Sequence, residues 1–204
     1  MISIISPSLN GKVPQIGILR EPHEFITSSV KGIAAARNDG ASRAKGNVLA
    51  FIDSDITVKP IVWKFVEELK PGEFIISYSK DGIPSGRLII IHREDFERVG
   101  FDARFVAAAE DSDFYLRCRD AGLDAVIISN GCYEHKAHSE RAKDREVGRQ
   151  ICRDQMRFVV RHMKRHRERA WAWSTVGWQL SNWKFKSLAY ELFDFLGFII
   201  RGNA

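Results

Sequence analysis

Apolar residues in this chain fall into short unbroken runs separated by stretches where they recur at three- and four-residue spacing, the alternation expected of an α/β fold. Residues 1–6 read as a first strand, closed by the turn formers Pro7-Ser8-Leu9-Asn10-Gly11. Residues 16–19 read as a second short strand, ended by Glu21-Pro22. The connection between them is too short for a helical crossover, so they are either not parallel neighbours or not both strands. Over residues 29–44, Val30, Ile33, Ala34, Ala41 and Ala44 predict a helix, with Gly46 as its stop. The run at 48–52 predicts a buried strand that ends on Asp53-Ser54-Asp55. Pro60 then opens a helix with Ile61, Val62, Phe65, Val66 and Leu69 on one face, ended by Pro71-Gly72. Residues 74–78 and 88–91 read as strands around the turn Lys80-Asp81-Gly82, and 93–99 as a short helix stopped by Gly100. Glu110-Asp111-Ser112-Asp113 opens a helix over 114–120, which Gly122 ends before an apolar strand at 125–128.

The last third changes character. An arginine falls at every fourth position from Arg141 to Arg169, and on a helix this makes a ridge that advances only about 40° per step. Val147, Ile151, Phe158, Val159 and Met163 supply the apolar side. Two readings stand: a solvated helix whose arginines pair with Asp144, Asp154 and Glu168, or a surface that faces an anion. Beyond Ala170 come Trp171, Trp173, Trp178 and Trp183, then Lys184, Lys186 and an apolar helix interrupted by Glu191 and Asp194. Its acids and short length argue against a spanning helix, while its composition suits either a membrane interface or packing on a protein surface.

Composition narrows the class. A chain of 204 residues, 45% hydrophobic and 28% charged, builds one compact domain with a short appendage and is not disordered. A net charge of +5 points to anionic partners without choosing among them. Cys118, Cys132 and Cys152 lack the spacing of a zinc site or a disulfide framework, and a reducing compartment is expected. The N-terminus lacks the length and basic flank of a signal segment.

Chemistry concentrates at two acidic clusters. Asp53 and Asp55 sit where a strand meets its loop, the edge at which open α/β sheets bind ligands and two carboxylates would meet a divalent cation. A polar turn after a core strand is the bland alternative. Glu110 and Asp111 at a helix start are either capping residues favoured by the dipole or a catalytic base.

Four pieces stand in one order: Pro7-Ser8-Leu9-Asn10; Ala36-Arg37-Asn38-Asp39-Gly40 with Ala44-Lys45-Gly46; Asp53-Ser54-Asp55; and Gly100-Phe101-Asp102 followed by Glu110-Asp111-Ser112-Asp113 and Gly122. Together they resemble the family 2 glycosyltransferases of the GT-A fold, over about residues 33–135. The resemblance implies a Rossmann-like three-layer sandwich with a mostly parallel sheet over residues 1–139, followed by C-terminal helices at 140–204 that pack on the core or on a membrane. It also implies a metal-dependent, inverting transferase that moves a sugar from a nucleotide-diphosphate sugar to a hydroxyl on a lipid, glycan or protein.

Residue by residue, the resemblance assigns Asp53 and Asp55 to the metal-binding pair, with Mn2+ or Mg2+ as cofactor and Asp53 and Ser54 also facing the donor. Asp111 matches the base, with Glu110 beside it helping to place the acceptor. Arg37 matches a position near the nucleotide, and Pro7 and Ser8 match the loop lining base and ribose. His135, ahead of His138, would complete the metal site. The chain departs from the family before Arg37, where there is no room for the usual helix, and Glu21 stands in for the missing base-reading acid. A cytoplasmic protein, peripheral at a membrane surface, follows. The competing functions are a nucleic-acid-binding module using the arginine ridge and the C-terminal aromatics, which ranks well below and leaves both acid clusters unexplained, and a nucleotidyltransferase, for which residues 7–12 are a poor phosphate loop.

Overall fold

A computed structural model of the chain describes residues 1–8, 10–79, 82–135, 145–162 and 164–166. It divides into two compact units, Met1–Arg104 with Glu110–His138, and Phe105–Ala109 with Ser139–Ala204. The segment Phe105–Ala109 thus groups with the second unit.

In the first unit, strands β1 (Ile2–Pro7), β2 (His23–Ser28), β3 (Val48–Ile52), β5 (Glu73–Tyr78), β6 (Pro84–His92) and β7 (Asp124–Ile128) form a sheet in the order β2-β1-β3-β6-β5-β7. The pairs β1–β2, β1–β3 and β5–β7 are parallel, and β6 runs antiparallel to both its neighbours. A separate ribbon pairs β4 (Ile56–Val58) with β8 (Tyr133–His135). The helices are α1 (Ile33–Arg43), α2 (Ile61–Glu68), α3 (Arg93–Val99) and α4 (Glu110–Asp120).

Burial explains which strands are legible. Every residue of β3 is buried, as a central strand covered on both faces requires. One face, built from Ile4, Ala50, Ile52, Ile75, Leu88 and Ile90, packs with Val62 and Trp63 of α2. On the other, Phe51 meets Phe96 of α3 and Phe101, while Phe74 meets Phe114 and Tyr115 of α4. Gly40 of α1 lies so close to Ile5 that a Cβ there would overlap the Ile5 side chain. The result is three layers around one mixed sheet.

Residues 16–19 are not a strand. Gln15 makes one isolated bridge to Thr57, Ile16 is buried in the core of the α2 side, and the Trp63 indole N–H donates to the Ile16 carbonyl at 2.8 Å. The second strand is instead β2, parallel to β1 without an intervening helix. The helix expected from residue 29 begins at Ile33, and Val30 is exposed.

In the second unit, α5 (Arg145–His162) covers part of the arginine ridge. Arg157 pairs with the buried Asp154 at 3.2 Å, and the guanidiniums of Arg157 and Arg161 each lie 5.7 Å from the Phe105 ring centroid. Arg141, Arg169, His138 and the tryptophans from Trp171 onward lie outside the described residues. Among the described residues, no helix is long and apolar enough to cross a membrane.

Candidate active site

The directions of three strands assemble one edge. β1 and β3 are parallel, with Ile5 level with Phe51, so Pro7 and Asp53 emerge together at their carboxyl ends. Because β6 is antiparallel, its beginning reaches the same edge: Ile52 pairs with Leu88, and the Asp53 N–H donates to the Arg87 carbonyl at 3.0 Å. The first turn of α4 arrives there too. The Gly86 N–H donates to Asp111 Oδ2 at 2.8 Å, and the Ser112 N–H donates to Asp111 Oδ1 at 2.8 Å.

Arg37, on α1, lies beneath these acids with a relative exposure of 1%. Its Nη1 donates to Glu110 Oε1 at 3.0 Å, and its Nη2 donates to Asp53 Oδ1 at 3.1 Å and to the Gly86 carbonyl at 2.8 Å. The guanidinium also lies 5.2 Å from the Phe101 ring centroid. Asn38 fixes that ring's backbone: its Nδ2 donates to the Phe101 carbonyl at 2.7 Å, and its Oδ1 accepts from the Phe101 N–H at 3.0 Å. The resemblance put Arg37 near the nucleotide. In the structure Nη1 and Nη2 donate to the chain's own carboxylates and a carbonyl, and Nε is buried without a hydrogen-bond partner among the described residues.

Burial opposes the charge on Arg37, but Asp53, Glu110 and Asp111 outweigh it and raise its pKa above the ordinary arginine value. Glu110 is the opposite case. Burial, reinforced by the charge of Asp111, raises its carboxyl to about 7 despite the neighbouring Arg37. Glu110 is therefore a buried, Arg37-linked group, while Asp111 is only half-buried. Asp113 serves the fold: fully buried, it accepts from Arg117 Nε at 2.7 Å, and Arg117 donates onward to the carbonyls of Val99 and Gly100.

The β4–β8 ribbon places the remaining candidates. Its register sets His135 opposite Ile56, and His135 Nε2 consequently lies 3.3 Å from Asp55 Oδ2. This pair offers a carboxylate oxygen and an imidazole nitrogen, donors that suit a divalent cation whose other positions go to phosphate and water. Asp53 Oδ1 is turned toward Arg37 instead. Among the described residues, no cluster of three or more His, Cys, Asp or Glu side chains is gathered for a metal.

Pro7 and Ser8 lie at the same edge, with the Ser8 N–H donating to the Ser28 carbonyl at 2.9 Å and its hydroxyl to Asn10 Oδ1 at 3.1 Å. Ser54 occupies the half-buried turn between Asp53 and Asp55. Glu21 is not brought to them. It lies two residues before β2, next to Pro22, whose carbonyl accepts from the Ile2 N–H, at the opposite end of β1 and exposed. The sequence places Gly86 and Phe101 in loops that shape the acceptor site, at 82–87 and 101–109, but does not show their contacts with Arg37 and Asp111. The glycine inside the apolar-flanked Ser85-Gly86-Arg87 was the available signal.

Residues 19–118 match the model of glycosyl transferase family 2, and that span contains Arg37, both acids of the 53–55 turn, Gly86 and the acids of the first turn of α4. The likeness to this family lies in that span. Two solved structures share the chain's fold. A mannosyltransferase from Pyrobaculum calidifontis, in complex with GDP-Man and Mn2+, is 14% identical with a TM-score of 0.55, covering 81% of this chain and 64% of that one. A Drosophila beta-1,4-galactosyltransferase 7 variant, in complex with manganese, UDP-Gal and xylobiose, is 14% identical with a TM-score of 0.52, covering 70% and 73%. The chain therefore has the GT-A fold. Among curated proteins it is 30% identical over 139 residues to a phosphoribosyl imidazole-4-carboxamide isomerase of Corynebacterium glutamicum, and it spans 53% of that protein's length.

Proposed function

We propose that the chain is a metal-dependent, inverting glycosyltransferase that moves a sugar from a nucleotide-diphosphate sugar to an acceptor hydroxyl. The observation that carries this reading is the meeting of Asp53, Glu110 and Gly86-held Asp111 around Arg37 at the carboxyl edge of the sheet. The likeness to the family supports the reaction class, and the two similar transferases, each with a nucleotide sugar and manganese, support the donor class and the cofactor.

The donor would lie over the 53–55 turn and the Pro7–Ser8 loop. Asp55 and His135 would hold Mn2+ or Mg2+, whose contribution is to offset the charge gathering on the departing diphosphate. Asp111, half-buried and oriented by two backbone N–H groups, would take the proton of the acceptor hydroxyl. The acceptor oxygen then forms its bond to the anomeric carbon as the carbon–phosphate-oxygen bond breaks, with the electron pair leaving on the diphosphate. Attack from the face opposite the leaving group inverts the centre. The acceptor, a hydroxyl on a lipid, glycan or protein, would approach from the Asp111 side of this edge.

The test is donor binding and turnover across a panel of nucleotide sugars with and without Mn2+. Asp55→Asn and His135→Ala should each weaken Mn2+-dependent donor binding about tenfold or more, and Asp111→Asn should lower transfer by about 100-fold or more while donor binding is nearly unchanged. Full transfer by Asp111→Asn would remove it from the base role. Pyrophosphate in place of a nucleoside diphosphate among the products would assign nucleotidyl transfer instead.

A further inference from the structure

We propose that Arg37 is a positioning residue that ties the donor-side and acceptor-side acids into one arrangement, acting in part through the Gly86 peptide. The proposal rests on the transferase reading above. One guanidinium reaches Asp53, which follows β3, Glu110, which starts α4, and the carbonyl of Gly86, at the start of β6. The amide of that same Gly86 holds Asp111. Three elements that converge from distant parts of the chain therefore share a single fixed point. Only a planar fork with several donors meets three acceptors in this way; a lysine ammonium is a compact charge without the fork.

Gly86 completes the device by lacking a side chain. A Cβ there would stand 2.8 Å from both Nη1 and Nη2 of Arg37, closer than ordinary Cβ contacts allow. A flexible arginine would move aside, but this one is pinned by the three acceptors. The close approach is thus what lets the Gly86 carbonyl serve Arg37 while its amide serves Asp111. The geometry favours a role within the protein: Arg37 is 1% exposed and Nη1 and Nη2 donate to the chain's own acceptors, while Nε is buried without a hydrogen-bond partner among the described residues.

The experiment is steady-state transfer by the full chain with the donor identified from the panel. Absence of turnover by the wild type with every donor overturns the transferase reading and this proposal with it. Given turnover, Arg37→Ala and Gly86→Ala should each lower kcat by about 100-fold, the scale of a small misplacement of reacting groups, with a smaller rise in donor KM. Added guanidinium chloride, below denaturing concentration, should restore part of the activity of Arg37→Ala and none in Gly86→Ala. Combining the two should be no worse than Arg37→Ala alone, because the clash at Gly86 disappears with the guanidinium. A donor-KM effect with unchanged kcat would instead make Arg37 a direct nucleotide contact, and multiplying losses in the double variant would separate Gly86 from Arg37. Thermal unfolding checks each variant. If Arg37→Ala fails to fold, Gly86→Ala decides: a folded Gly86→Ala with wild-type kcat overturns the proposal.

Discussion

Glu110 shows how a single buried carboxylate records its surroundings. Its contact with Arg37 favours the charged form, yet burial and the neighbouring Asp111 prevail and bring the group to about 7. The folded chain then holds a proton on Glu110 that the unfolded chain, with its carboxyl near 4.5, has released over the interval between those values. Stability from this group is fully present below about pH 4.5 and is lost as pH rises through about 7, an effect on the order of 2–3 kcal/mol. Glu110→Gln keeps the shape and removes the titration. Urea unfolding of the two proteins at pH 5 and pH 8 should therefore show the wild type losing stability relative to the variant at the higher pH. Parallel pH dependence would place the Glu110 titration near that of an ordinary glutamate. Asp113, three residues on, shows why identical residue types needed the structure. Both acids belong to the opening turn of one helix, but Asp113 is committed to Arg117.

Elements differed in how far they could be read. β3 announces itself because both faces are covered, so its sequence is uniformly apolar. β2, with the sequence His-Glu-Phe-Ile-Thr-Ser, is an edge strand that exposes Phe25 and buries Ser28, so its pattern is mixed and its signal was outweighed by the nearby Ile16 and Ile18. Of those two, Ile16 is a core residue outside any strand and Ile18 is 75% exposed, so hydrophobicity alone misled. The acid clusters were legible because strand ends and helix starts are marked by local chemistry. The Arg37 contacts were not, since they join α1 to residues 16 to 73 positions away. Helix α1 also carries a packing constraint in Gly40, which was legible only as part of the Ala36–Gly40 motif. Gly40→Ala gains intrinsic helix propensity of about 1 kcal/mol but forces a Cβ into Ile5, at a cost of about 1–3 kcal/mol. Net destabilisation in urea is expected, and pairing the change with Ile5→Ala, which removes the Cγ2 that the methyl meets, should cost less than the sum of the two single changes. A more stable Gly40→Ala would mean that α1 shifts to accept the methyl.

At the scale of the whole molecule, the basic C-terminal helix contributes organised structure as well as charge. In the second unit, the fully buried Asp154 accepts from three successive backbone N–H groups through Oδ2: Val106 at 2.9 Å, Ala107 at 2.6 Å and Ala108 at 3.1 Å. Its Oδ1 accepts from Gln150 Nε2 at 2.8 Å and Arg157 Nη1 at 3.2 Å. Successive N–H groups form a concavity suited to an anion, and here a side chain of the same unit fills it. A buried carboxylate is stable only with such a complement of donors, and removing it strands them. Within the four-residue arginine repeat, Arg157 pairs with Asp154 as the solvated-helix reading expects, and Arg157 and Arg161 also lie over the Phe105 ring. Asp154→Leu removes the acceptor while retaining a buried side chain of similar size. Hydrogen exchange at Val106, Ala107 and Ala108 should accelerate about 10- to 100-fold, the consequence of losing about 1.5–3 kcal/mol of charge-assisted hydrogen bonding. Amides of β3, in the other unit, should keep their protection. Unchanged exchange at residues 106–108 would mean that this segment holds its conformation without α5, whereas loss of protection throughout would make Asp154 a requirement for the entire fold.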